Sequence, residues 1–329
     1  MRHWQTAGCR FLGHVPLFDP EAGVTVREPL GEGAGWWAGA PTALYDSATG
    51  DFYIYYRLRK PRELGRGVEC RVARSHDGLH YEDLWRATKE QIHTQSMEKS
   101  CIVKVADGLW RLYISFVDTD GRWRIDLLEA ACPEEFDCGR RVKILTADDC
   151  GIEGIKDPAV YNVGGLWHMI VSYAPRPAQL SGDAERTMHV TGDIYNVGVT
   201  KSHTGLATSS DGVNWLWEGD ILSPPNEGWD SYCTRIGAVL WSAPVFVGFY
   251  DGSRSVEENY EEKAGLALSH DLRHWRRLTI DGPYVLSPHA TRTIRYVEVI
   301  EAQNALWYYY EYTRPDGSHE LRASRVPLA

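Results

Sequence analysis

Five runs along the chain, residues 52–57, 110–116, 167–173, 245–250 and 307–312, are strongly apolar and aromatic with few polar interruptions. A short apolar run of this composition predicts a strand buried in a sheet. Each run is preceded by a second apolar segment, at residues 42–45, 102–105, 159–161, 236–240 and 296–300, and is followed by a recurring phrase. Three copies of the phrase are well formed: residues 72–81 around Ser75, Asp77 and Gly78, residues 206–215 around Ser209, Asp211 and Gly212, and residues 266–275 around Ser269, Asp271 and Leu272, each closed by an aromatic. An aspartate there bonds the backbone two residues on while glycine takes positive φ, so the phrase predicts a strand running into a tight corner. Asp77 and Asp211 are 134 residues apart, and Asp211 and Asp271 are 60 apart. A degenerate copy at residues 126–136 fills the longer gap, and a further strand copy lies at residues 320–325. With an outer strand after each phrase, the expected fold is all-β: a single domain over residues 1–329, built as a five-bladed β-propeller of four-stranded antiparallel blades. Such a ring leaves only short, protected edges. Residues 174–202, rich in Pro, Gly, Asp and His, carry no copy of the pattern and read as a long insertion between the two middle strands of the third blade.

Composition narrows the partners. Most of the 13 Trp and 18 Tyr are needed as wedges between twisted sheets, which leaves a few for stacking on a ligand. A net charge of −10 without a basic patch argues against nucleic acid and anionic membrane. The seven cysteines are odd in number and lack close metal-ligand spacing, which predicts reduced thiols and a cytoplasmic location. Residues 1–5 lack an apolar leader and no window approaches 18 apolar residues, so neither signal peptide nor membrane span is expected. Phosphate loops, nucleophile elbows, zinc-protease helices and dinucleotide fingerprints are absent, so no cofactor and no metal is expected. Oligomeric state is not readable from the chain.

In a propeller the starts of the five innermost strands converge on one funnel, and convergent polar groups there form the natural site. Those starts read Gly39-Ala40-Pro41, Met97-Glu98-Lys99-Ser100, Ile155-Lys156-Asp157-Pro158, Trp229-Asp230-Ser231 with Thr234-Arg235, and Arg295-Tyr296-Val297-Glu298. Asp157, Glu98 and Asp230 are the expected catalytic acids. Two have a plainer reading beside that one, Asp-Pro turn chemistry for Asp157 and a surface pair with Lys99 for Glu98, while Asp230 has in Trp229 an aromatic neighbour suited to a sugar platform. Glu298, in an apolar strand, needs a buried partner such as Arg295 or Arg235. Arg57, Arg235 and Arg295 present guanidinium forks suited to paired oxygens, or serve in ion pairs. Trp37 is expected at the mouth with its indole toward a ligand. In the insertion, His189, Asp193 and His203 are candidates for a loop-borne acid.

The Ser-x-Asp-Gly-x-x-Trp phrase, Tyr55-Tyr56-Arg57 closing a strand, and Lys156-Asp157-Pro158-Ala159-Val160 opening another resemble the five-bladed β-propeller glycosidases, the broad group of arabinanases, xylosidases, invertases, neoagarooligosaccharide hydrolases and β-mannoside phosphorylases. Residues 98–104 also resemble a degraded Glu-Asp-Pro-Arg-Ile stretch of the mannoside phosphorylases. The resemblance implies a glycoside hydrolase acting on a small oligosaccharide or glycoside, with one carboxyl protonating the leaving oxygen and another activating water with inversion. The alternatives to hydrolysis are a phosphorylase, with Lys99, Arg57 and Arg235 around a phosphate, and a sugar-binding propeller without turnover. Two positions depart from the pattern: Ala40 stands where many arabinanase-like relatives place a general-base Asp, and Lys99 where the phosphorylases place their acid.

Overall fold

The structure, a computed structural model, describes residues 11, 12 and 15–328; of the cysteines, Cys9 lies outside that range. Twenty strands form five antiparallel units of four. The first unit is Trp37–Asp46, Asp51–Arg59, Gly67–Ser75 and Glu82–Thr88; the second is Cys101–Lys104, Trp110–Val117, Trp123–Ala130 and Val142–Leu145. The third is Gly154–Val163, Leu166–Ala174, His203–Ser209 and Leu216–Leu222; the fourth is Cys233–Ser242, Val245–Ser253, Lys263–Ser269 and Trp275–Arg277. The fifth consists of Ile294–Ala302, Ala305–Thr313 and His319–Pro327, and its outer strand is Val24–Arg27, from the other end of the chain. An outer strand following each phrase in sequence is thus found in four units, whereas the fifth is completed by a segment that precedes the first.

Single parallel pairs, Lys263 with Ile294 and His319 with Trp37, join units four, five and one into one twelve-stranded path. First strands are neighbours in order, one to two through four to five, and the first strand of the fifth unit also lies against that of the first. Second strands are the most enclosed: every residue of Asp51–Arg59 and of Ala305–Thr313 is buried. Sheets packed on both faces call for near-continuous apolar runs, which these aromatic strands supply apart from Asp51, Arg57, Arg59, Glu311 and Thr313. Outer strands such as Leu216–Leu222 alternate between solvent and sheet.

The repeated phrase forms the predicted corner three times. Asp77 Oδ1 accepts from the amides of Leu79 and His80 while Ser75 Oγ accepts from those of Asp77 and Gly78. Asp211 and Asp271 repeat the arrangement. Gly78 and Gly212 sit at φ 76° and 74°, and Leu272 takes the same place at φ 64°.

One irregularity recurs in every first strand. The register against the second strand slips by one residue between Gly39 and Thr42, Lys156 and Ala159, Ile236 and Ala238, and Arg295 and Glu298. The second unit slips likewise between the Met97–Phe116 bridge and the Cys101–Tyr113 pair. A bulge of this kind bends the strand and re-aims the side chains around it. It leaves Ala40, Asp157 and Tyr296 at φ 52°, 57° and 51° in equivalent places.

Candidate active site

The residues at the entry to the five bulges are Gly39, Glu98, Lys156, Arg295 and, one place before Ile236 in the fourth unit, Arg235; the cross-strand neighbours of Gly39, Glu98, Lys156, Arg235 and Arg295 are Arg57, Ser115, Ser172, Asp251 and Glu311. Together these two rows place a dense set of charges where the first strands meet. All the charged members are at most 6% exposed, so each needs an opposite charge or a hydrogen bond.

Glu98 Oε2 lies 2.8 Å from Arg57 Nε and its Oε1 3.2 Å from Arg59 Nη1. Burial alone would raise its carboxyl, but Arg57, Lys156, Arg59 and Arg295 prevail and hold it down at about 2. Glu311 Oε1 accepts from Arg295 Nε at 2.8 Å and Nη2 at 2.6 Å, and faces His319 Nδ1 at 2.7 Å. Glu262 bridges two arginines, Arg295 Nη1 at 2.5 Å and Arg235 Nη2 at 3.3 Å. Arg235 also donates to Asp251 Oδ2 at 2.8 Å, yet burial prevails there and pushes the Asp251 carboxyl up to about 6. Tyr296 stands among these cations, its ring centroid 4.2 Å from the Arg235 guanidinium carbon and 5.2 Å from that of Arg295. Its hydroxyl donates to Glu98 Oε2 at 3.4 Å.

Asp157 is the carboxylate of this network that lacks a hydrogen-bond donor. It is fully buried, with Arg235 Nη1 at 3.3 Å and Lys156 Nζ at 3.6 Å from Oδ2, but neither carboxylate oxygen receives a hydrogen bond. A buried carboxylate with free lone pairs is costly and is ready to accept from a ligand hydroxyl.

The structure brings Asp157, Glu98, Arg57, Arg235 and Arg295 together, and Trp37 with them. Trp37 does not offer an open face, however: His319 stacks on its ring at 4.7 Å, Arg59 and Arg295 lie over it at 4.5 and 4.4 Å, and it is 3% exposed. Asp230 is not brought into the network; its Oδ2 accepts from Tyr250 and from Arg277, each at 2.9 Å, within the fourth unit. Lys99 and Glu298 find each other at 3.4 Å instead of joining the arginines, so Glu298 pairs with neither Arg295 nor Arg235. The cause is the bulge: Lys99 follows Glu98 directly and Glu298 lies two residues past Tyr296, so both side chains leave on the far side of it. Glu298 lines a separate cavity of about 570 Å³ at the other end of the first strands, and burial pushes its carboxyl up to about 7. In the insertion, His189 Nε2 pairs with Glu153 at 3.0 Å and Asp193 with Arg66 at 3.1 Å, whereas His203 opens the third strand of its unit and pairs with Asp220 at 3.1 Å.

Arg59, Lys156, Asp251, Glu262, Glu311 and Tyr296 are members that the sequence reading did not single out. A signal for two of them was present: Asp251 and Glu311 are lone acids in aromatic second strands, where a charge is tolerated only with a buried partner. Among the described residues, no group of three or more His, Cys, Asp or Glu side chains is gathered as a metal site.

Comparison with known proteins bears on the fold. No family model matches the chain, and no curated protein matches it. Among solved structures, a thermostable family-43 glycoside hydrolase aligns with a TM-score of 0.64 at 13% identity over 92% of each chain. The GH43_1 enzyme from Xanthomonas citri complexed with xylotriose gives 0.61 at 13% identity, covering 92% of this chain and 89% of that one. The β-1,2-mannobiose phosphorylase from Listeria innocua, in complex with β-1,2-mannobiose, gives 0.61 at 13% over 93% and 94%. The likeness to the five-bladed β-propeller glycosidase group therefore holds at the level of fold, with hydrolases and a phosphorylase both among the neighbours.

Proposed function

We propose that the five units are the blades of one propeller, and that the protein is a glycoside hydrolase cleaving a small oligosaccharide or glycoside with inversion. The unbroken order of contacts among the five first strands supports the ring. The observation that carries the activity is Asp157: a buried carboxylate without a hydrogen-bond donor, aimed among charges that come from all five units. Glu98, kept ionised by its arginines, carries no proton to donate near neutral pH. It is therefore assigned as the base that activates water, and Asp157 as the acid that protonates the leaving oxygen. Arg235, 3.3 Å from Asp157, and Arg295 orient sugar hydroxyls. The xylotriose bound by the Xanthomonas citri enzyme supports a short saccharide as the substrate class.

Water is favoured over phosphate as acceptor. Lys99 is turned away to Glu298, and Arg57, Arg235 and Arg295 each already face carboxylates. The six described cysteines are unpaired, which supports a reducing compartment such as the cytoplasm; no helix among the described residues is long and apolar enough to cross a membrane. The test is a panel of aryl arabinofuranosides, xylosides, galactosides and mannosides, each with and without phosphate. Phosphate-independent release of the aryl group is expected; phosphate-dependent release would make the protein a phosphorylase, and tight sugar binding without release would make it a binding propeller.

A further inference from the structure

The charged funnel is covered. Between Arg59, Glu98, Lys156 and Arg235 below and Tyr195 and Tyr260 above, the free space is about 10 Å³. That is about one water, whereas a six-membered ring needs on the order of 150 Å³, the size of a cavity that takes benzene. A substrate for the proposed reaction therefore enters only if part of the cover leaves.

The part built to leave is the segment Asp193–Val197 of the insertion. Gly192 and Gly198 bracket it at φ 59° and 77°, conformations that glycine adopts without strain and that suit a hinge. Its hold on the body is apolar at Ile194 and Tyr195, which are buried with Val117, Trp123 and Ala174, and polar elsewhere. The Tyr195 hydroxyl donates to the carbonyls of Gly154 at 3.0 Å and Ser172 at 3.2 Å, with the ring 4.6 Å over Lys156 Nζ. The Tyr195 carbonyl accepts from Tyr232 and Asn259 at 2.9 and 3.1 Å. The Asp193 carboxylate is the one charged tie: it pairs with Arg66 of the first unit at 3.1 Å and accepts from the Tyr260 hydroxyl. Each bond is one that water can replace when the segment lifts.

We infer that residues 193–197 are a lid hinged at Gly192 and Gly198 and latched by Asp193 on Arg66 and Tyr260, whose opening admits a short saccharide to Asp157 and Glu98. The inference rests on the proposed function for the ligand, not for the motion. Cys233, fully buried beside Tyr195 and bridged to Ser202 at the end of the insertion, reports on lid opening. Cys70, fully buried in the core between units one and two, reports on opening of the whole molecule. Maleimide labelling under native conditions, followed at each thiol by mass spectrometry, should run at least tenfold faster at Cys233 in Asp193→Asn than in the unchanged protein, with Cys70 unaltered. Tyr260→Phe, which deletes one hydroxyl, should act in the same direction and serves if the first variant does not fold. Equal acceleration at both thiols, or none at Cys233, overturns the lid. Because no sugar is used, a chain that labels as expected yet releases no aryl group would refute the hydrolase reading and leave the lid standing.

Discussion

Asp157 and Asp230 look alike in sequence, each an acid near the start of a first strand, but their surroundings assign them opposite work. Asp157 accepts no hydrogen bond, so Asp157→Asn should lower kcat by about 10²–10⁴-fold while leaving the fold intact, as steady-state rates beside a thermal melt will show. Asp230 already has Tyr250 and Arg277; Asp230→Asn should cost about 1–3 kcal/mol of stability in denaturant titration and leave kcat unchanged. Glu298 makes a third, pH-dependent case. Burial raises its carboxyl from 4.5 to about 7, so the folded protein keeps a proton that the unfolded chain has released. This contribution favours the folded state at low pH and is lost as pH rises from 4.5 to about 7. Urea titrations across that window should show stability falling more steeply in the unchanged protein than in Glu298→Gln. The acids at the strand starts were readable because a propeller brings those starts together whatever the substrate. Their directions were not: Glu98 and Lys99 are adjacent, and only the bulge decides that one meets the arginines while the other meets Glu298.

The elements were the most readable level. Apolar, aromatic runs placed the second strands of the units, and the alternating phrase that runs into an Asp corner placed the third, because both signals are local. What escaped was long-range: Val24–Arg27 pairs with His319–Pro327, through Leu321 with Arg27 and Ala323 with Val24, and no local pattern announces a partner some 300 residues away. Val26 is 7% exposed and packs with Leu321 and Tyr309, so Val26→Asp should cost about 2–5 kcal/mol through burial of an unpaired charge, measured as a lower midpoint in urea. The third corner poses a finer question. Leu272 is held at φ 64°, a strain of about 1–2 kcal/mol for a residue with a Cβ, but its side chain is 2% exposed in a cluster with Trp229 and Tyr250, and that burial is worth about 1.5–3 kcal/mol. The two effects nearly cancel, so Leu272→Gly should shift stability by less than about 1 kcal/mol.

For the whole molecule, closure and chemistry are one problem. Five units that bury their aromatic strands against one another also turn five bulged strands inward, and the charges at those bulges neutralise each other unless a ligand intervenes. Asp157 is the member left without a donor, and the insertion covers it. The most direct trial is hydrolysis of the aryl glycoside panel by the unchanged protein and by Asp157→Asn in parallel, without phosphate. Turnover that is inverting and falls at least about a hundredfold in the variant is the predicted result; sugar bound without turnover, or equal rates in the two proteins, would contradict it.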